Sequence, residues 1–179
     1  MSRIDPVHIR KASEIDAADI IALVRSERLN PNDLHWSRFV VAVAGGRIAG
    51  AVQLRCHRDG SIELGSLVVD PAFRGQGIAA RMIDTLLASE SDAVSMITGR
   101  RFADHYRPWG FVQVSPWHAP MRVLRNYLMG QSIGAVFALT RGRRVKRLAV
   151  LHRPATAAVA TADVTPPYGP AQARGSRSA

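Results

Sequence analysis

The 179-residue chain is long enough for one domain with a substantial core, and its 47% hydrophobic content with a mean hydropathy of -0.02 excludes a disordered polyampholyte. Its 24 basic against 14 acidic residues give a formal charge of +10, which suits a polyanionic ligand or surface but is equally met by solvated arginine-rich faces. A single cysteine, Cys56, excludes an internal disulfide and a cysteine-based metal cluster, so no metal is expected.

In chain order, Val7 to Arg10 reads as a strand and Ser13 as the start of a helix, with Asp16 three residues on in a capping-box arrangement. Ile20, Leu23 and Val24 form the helix's apolar stripe, and Asn30-Pro31 is expected to stop it. Asn30 to Arg38 is polar and turn-rich, anchored by Leu34 and Trp36. Phe39 to Ala44 and Arg47 to Leu54 read as strands joined by a Gly45-Gly46 turn. A turn from His57 to Gly60 leads to a strand from Ile62 to Val69, closed by Asp70-Pro71. Met82, Ile83, Leu86 and Leu87 then lie at helical spacing on one apolar face.

Ala93 to Thr98 predicts a further strand and Arg101 to Tyr106 a short helix. Phe111 to Val114 is a strand beyond the Pro108-Trp109-Gly110 corner. Met121, Leu124 and Leu128 suggest another helix face, and Val145 to Leu151 a last strand. From Pro154 to Ala179 the chain is rich in Ala, Pro and Gly, so a disordered tail is expected after a folded domain of residues 1–153. Three strands in a meander, then a helix, favour an α/β fold with a mixed sheet over a doubly wound one. The amino terminus has no apolar signal-peptide core, and the longest apolar run, Ile133 to Leu139, is far too short to span a membrane. A cytoplasmic location without membrane attachment is expected.

Between the strand ending at Val69 and the following helix lies Arg74-Gly75-Gln76-Gly77-Ile78-Ala79. Two close glycines at such a joint can turn backbone N–H groups inward at the positive end of a helix, a site for phosphate or pyrophosphate. The alternative is a tight turn that packs the helix on the sheet. The spacing fits neither G-x-G-x-x-G nor a Walker loop. It resembles the signature [R/Q]-x-x-G-x-[G/A] of the GNAT superfamily of N-acetyltransferases, matched by Arg74, Gly77 and Ala79. The order of elements from Val7 to Val114 is similar to that family's as well. The resemblance implies a mixed sheet splayed at a bulge on the strand before the loop. It implies acetyl-coenzyme A as co-substrate, its pyrophosphate on residues 74–79 and its thioester beside the backbone of Leu67, Val68 and Val69.

Phe102 to Phe111 resembles the family's A-x-x-Y-x-x-x-G-F region, with Tyr106, Gly110 and Phe111 in register. By that resemblance Tyr106 protonates the departing thiolate; a core tyrosine with its hydroxyl at the rim is the alternative. His105 stands for the family's frequent phenylalanine and Gly99 for an asparagine. Glu63 is the leading general base, directly or through water, against a solvent-facing glutamate. Strand alternation groups it with Gly65, Leu67 and Val69. Gly65 leaves room for a substrate or marks a bulge. Trp36, Arg38, Gln53 and Arg55 are expected around the acceptor pocket, with Arg55 able to pair with an acceptor carboxylate or to be a surface residue. His35 and His57 read as loop residues without a role.

The expected reaction is direct acetyl transfer to a primary amine of a small molecule in a ternary complex, since the only thiol lies outside the loop. The run from Pro120 to Leu151, with Leu124-Arg125-Asn126-Tyr127, faintly resembles amino-acid acetyltransferases such as N-acetylglutamate synthase. Acetylation of a protein amine and a non-catalytic acyl-coenzyme A-binding module are the competing readings. A homodimer is left open. Specific nucleic-acid binding is not expected, because no recognition motif accompanies the basic run Arg141 to Arg147.

Overall fold

The structure is a computed structural model that describes residues 6–27, 29, 33–130 and 147–156. Its strands are β1 (His8–Lys11), β2 (Phe39–Ala44), β3 (Arg47–Cys56), β4 (Ile62–Val69), β5 (Val94–Gly99), β6 (Val112–Val114) and β7 (Leu148–Arg153). Its helices are α1 (Ala17–Ser26), α2 (Ile78–Leu87) and α3, which covers residues 121–130. The seven strands form one sheet in the order β1-β2-β3-β4-β5-β7-β6. All pairs are antiparallel except β4 with β5, so the sheet is mixed.

β2 reads FVVAVA because both of its faces are covered. Val40, Ala42 and Ala44 pack with Ile78, Met82, Ile83 and Leu87 of α2. Phe39 and Val41 pack on the opposite face with Ile20 and Val24 of α1. Met82 comes so close to β3 that a Cβ on Gly50 would lie 2.9 Å from its methyl group. The predicted strands fall within two residues of the observed ones except at the start of β7, which is Leu148 rather than Val145; residues 145 and 146 lie outside the described residues.

Three expectations need correction. The first helical stretch starts at Ser13 with the expected Asp16 capping box, as a 3-10 turn, Glu14–Asp16, but α1 ends at Ser26, before Asn30-Pro31, which lie outside the described residues. The stripe Met121, Leu124 and Leu128 is not the buried face of α3. Val123 is fully buried, while Met121 and Leu128 are exposed, because α3 also turns a polar residue, Asn126, inward. Glu63, Gly65, Leu67 and Val69 do not share a face. Ser66 adopts a left-handed φ of 53°, and the β3–β4 register shifts between Ala51 and Gln53. The bulge reverses the alternation, so Leu67 and Val69 join Leu64 on the α2 side and leave Glu63 and Gly65 on the other.

The predicted tail falls largely outside the described residues. Of its first residues, Thr156 donates its N–H to Ser91 O at 2.8 Å.

Asp16 ties β1 to α1. It is 5% exposed and accepts two bonds from Arg10 (2.7 and 2.9 Å) and two from Ser13, N–H at 2.7 Å and Oγ–H at 2.9 Å. The Arg10 guanidinium, more than the Ser13 bonds, holds its carboxyl well below the usual carboxylate range, against the opposing effect of burial. A depressed folded-state pKa contributes stability above the unfolded value of about 3.9, lost as pH falls towards the folded value. Asp16→Asn is therefore expected to cost about 1–3 kcal/mol at pH 7 and to flatten the acid side of the stability curve. Thermal melts from pH 3 to 7 measure both; a variant with wild-type stability at pH 7 refutes the assignment.

Candidate active site

The loop between β4 and α2 is shaped by its own backbone. Asp70 accepts from the Ala72 N–H through its side chain (2.8 Å) and from the Phe73 N–H through its carbonyl (2.9 Å). Gly75 (φ 79°) and Gly77 (φ 70°) are left-handed, and Gly77 caps α2. The N–H groups of the first turn of α2 have no intrahelical acceptor and sit at the positive end of the helix dipole. A Cβ on Gly75 or Gly77 would meet nothing within 4 Å, so the space over the loop is open. Arg74 points away from that space: its Nε donates to Val69 O (3.0 Å) and its guanidinium pairs with Glu27 (2.7 Å). Ile78 is buried and Gln76 exposed. The loop can cradle a pyrophosphate by backbone donors, with Arg74 bracing it from behind.

β4 and β5 pair only from Ile62↔Val94 to Leu64↔Met96. Beyond Leu64 the pairing with β5 ends, and on that side the stretch of β4 from Gly65 to Val69 has no ladder partner among the described residues. The extra residue at the Ser66 bulge bends β4 there. The 3-10 stretch Arg100–Trp109, which follows β5, brings Tyr106 to this end of the sheet, and Trp109 Nε1 ties it to Asp84 of α2 (2.7 Å). The Tyr106 ring lies near Trp109 and Phe111, with centroids 6.3 Å away in both cases. Burial pushes its phenol above the ordinary value, partly offset by a hydrogen bond with Thr98. It therefore keeps its proton throughout the neutral range.

On the α1 side of the bulge lies a polar cluster. Glu63 is 4% exposed rather than solvent-facing. Its Oε1 faces Arg55 Nη1 at 3.4 Å, and its Oε2 accepts from Asn126 Nδ2 at 2.9 Å and lies 3.0 Å from His57 Nε2. Arg55 Nη2 donates to Ser66 Oγ at 2.8 Å. Gln53 is fully buried and hydrogen-bonds Ser66 Oγ at 3.0 Å, so it shapes the cluster without reaching a ligand. Gly65 leaves room for the Arg55 guanidinium: a Cβ would stand 2.7 Å from its Nη1, so the guanidinium would have to shift. Gly65→Ala is expected to push the guanidinium off its partners and cost about 1–3 kcal/mol, as overpacking does. Denaturant unfolding checks this, and a loss below 0.5 kcal/mol contradicts it.

The cluster opens into a cleft of about 450 Å³. Arg38, Arg55, Arg58, Arg122 and Arg125 line it, against a single carboxylate, Asp33. Asp33 is taken by Arg38 (2.9 and 3.0 Å), and Arg55 by Glu63. Among the described residues no carboxylate pairs with Arg58, Arg122 or Arg125, so the cleft is a cationic site. Trp36, expected around the acceptor pocket, is not among the residues that line the cleft; it packs on the α1-side core and stacks on His35. Sequence reasoning missed His57, Arg58, Arg122, Arg125 and Asn126. The signal for the last three lay in the run containing Leu124-Arg125-Asn126-Tyr127. For His57 there was none, because the contact with Glu63 crosses a strand turn. Among the described residues no group of three His, Cys, Asp or Glu could hold a metal ion, and no helix is long and apolar enough to cross a membrane.

Residues 35–113 match the family model of the acetyltransferase (GNAT) domain. No curated protein matches the chain by sequence. Among solved structures, N-acetylglutamate synthase from Neisseria gonorrhoeae, complexed with coenzyme A and N-acetyl-glutamate, superposes with a TM-score of 0.60 at 19% identity. The match covers 85% of this chain and 36% of that one, so the chain spans about a third of the synthase's length. Rv2747 from Mycobacterium tuberculosis, in complex with CoA and NLQ, gives 0.58 at 20% identity over 82% of this chain and 98% of that one. A GNAT-family acetyltransferase from Staphylococcus aureus gives 0.57 at 12% identity, covering 83% and 98%. At these identities the likeness is one of fold.

Proposed function

We propose that the chain is an N-acetyltransferase of the GNAT type, whose family model matches residues 35–113, and that it transfers the acetyl group of acetyl-coenzyme A to the primary amine of a small carboxylate-bearing acceptor, an amino acid, by direct transfer in a ternary complex. The observation that carries this reading is the cationic cleft beside Glu63. Arg58, Arg122 and Arg125 can pair with acceptor carboxylates, and a polyamine or aminoglycoside would meet repulsion there. The amino-acid acetyltransferase among the fold relatives supports the same class.

Each step of the proposed reaction is assigned to a residue. The donors of residues 74–79 hold the pyrophosphate, and the free edge of β4 at Leu67 to Val69 takes the pantetheine and polarises the thioester carbonyl. An oxyanion contact of that kind is typically worth about 3–4 kcal/mol. The acceptor's ammonium loses its proton to the Glu63 cluster, and its amine attacks the carbonyl. Tyr106 protonates the thiolate that leaves. The folded unit of this activity is taken as residues 1–153.

Release of free thiol from acetyl-coenzyme A, measured with L-glutamate, L-glutamine, glycine, putrescine and kanamycin, tests the proposal. Turnover with a carboxylate-bearing acceptor supports it, and turnover confined to the polycations overturns the acceptor class. Binding of acetyl-coenzyme A without thiol release from any acceptor favours the non-catalytic reading.

A further inference from the structure

The Glu63 carboxylate is fully engaged. Oε1 faces Arg55, while Oε2 accepts from Asn126 and contacts His57. Its side chain is 5% exposed, and that of Arg55 only 7%. Glu63 is also absent from the lining of the cleft, so its carboxylate reaches that space only through its neighbours.

His57 has the complementary property. To bond a carboxylate oxygen, its Nε2 carries the hydrogen, and Nδ1 is then the lone-pair acceptor. Nδ1 makes no hydrogen bond among the described residues. No buried side-chain nitrogen or oxygen among them lacks a partner, so Nδ1 is reached by solvent, and His57 is one of the residues that line the cleft.

We infer that His57, held by Glu63, is the general base that takes the acceptor's ammonium proton, an inference that rests on the acetyl-transfer reading. One proton passes from the ammonium to Nδ1, directly or through one water, and the nitrogen lone pair forms the C–N bond. The C–S bond breaks, and the thiolate takes its proton from Tyr106. The second proton of the attacking nitrogen restores the tyrosine, and His57 returns its own to solvent. Glu63 fixes the tautomer and offsets the charge of the imidazolium, as an orienting carboxylate does for a histidine base.

The charges around this imidazole are Glu63 from β4, Arg55 from β3, Arg58 and Asp59 from the turn, and Arg122 and Arg125 from α3, with the Cys56 thiol nearby. An acceptor carboxylate seated on Arg58, Arg122 or Arg125 would lie in the same cleft that His57 lines.

The test uses the full chain and the acceptor that releases thiol fastest in the panel. His57→Gln is expected to lower kcat about 10²–10³-fold with little change in KM for acetyl-coenzyme A, and to remove the acid limb of the kcat–pH profile. Glu63→Gln keeps that limb but moves it to lower pH, because the imidazolium has lost its anion. Should Glu63→Gln fail to fold, His57→Ala with added imidazole decides, and recovery of rate supports the base. An acid limb that survives in His57→Gln and vanishes in Glu63→Gln gives the role to Glu63. Retention of wild-type kcat in His57→Gln overturns the inference while leaving the acetyl-transfer reading intact. Absence of thiol release with every acceptor overturns both.

Discussion

Gly77→Glu is expected to weaken acetyl-coenzyme A binding by about 10²-fold or more while the fold survives. Gly77 caps α2 with a φ of 70°, and a Cβ there meets no atom within 4 Å, so a side chain enters the open space over the loop. A carboxylate in that space repels a pyrophosphate and competes for the same N–H donors. Losing two charge-assisted hydrogen bonds at about 1.5 kcal/mol each amounts to about 3 kcal/mol, which is about 10²-fold in affinity. The left-handed backbone adds about 1–2 kcal/mol of strain in any variant with a Cβ. Gly77→Ala is the control: it should lose that stability and yet bind within about tenfold of the wild type. Calorimetric titration with acetyl-coenzyme A measures both variants. Equal affinity for Gly77→Glu and wild type would falsify the placement of the pyrophosphate.

Tyr106→Phe should lower kcat about 10²-fold and leave KM for acetyl-coenzyme A nearly unchanged. The substitution keeps the ring against Trp109 and Phe111 and removes only the hydroxyl. General acid catalysis supplies about 10²–10⁴-fold, and water standing in for the phenol places the loss near the lower end. Burial raises the phenol pKa, so the protonated acid persists to higher pH than for a free tyrosine. An alkaline limb due to Tyr106 lies correspondingly high and is absent in the variant. A wild-type kcat in Tyr106→Phe assigns the residue to the core and requires another proton donor.

The cofactor side of the site was legible in the sequence because its determinants are local. A strand closed by Asp70-Pro71, two glycines and an amphipathic helix occupy consecutive residues from Ile62 to Leu87, and their geometry follows from φ requirements and from periods of two and 3.6. The strand meander Phe39 to Val69 was equally readable, since each strand is a continuous β-branched or apolar run between turns. The acceptor side was decided only by tertiary structure. A bulge on β4 was expected, but strand alternation was still carried through it; one residue in the left-handed region, Ser66, reverses the faces of the strand there. The partners of Glu63 come from β3, from the turn after it and, 63 positions along the chain, from Asn126 on α3. An apolar count of α3 points at Met121, Leu124 and Leu128, because periodicity weighs hydrophobicity alone. What turns this helix is a buried carboxylate that must be hydrogen-bonded, and that requirement exists only once the sheet has carried Glu63 out of water.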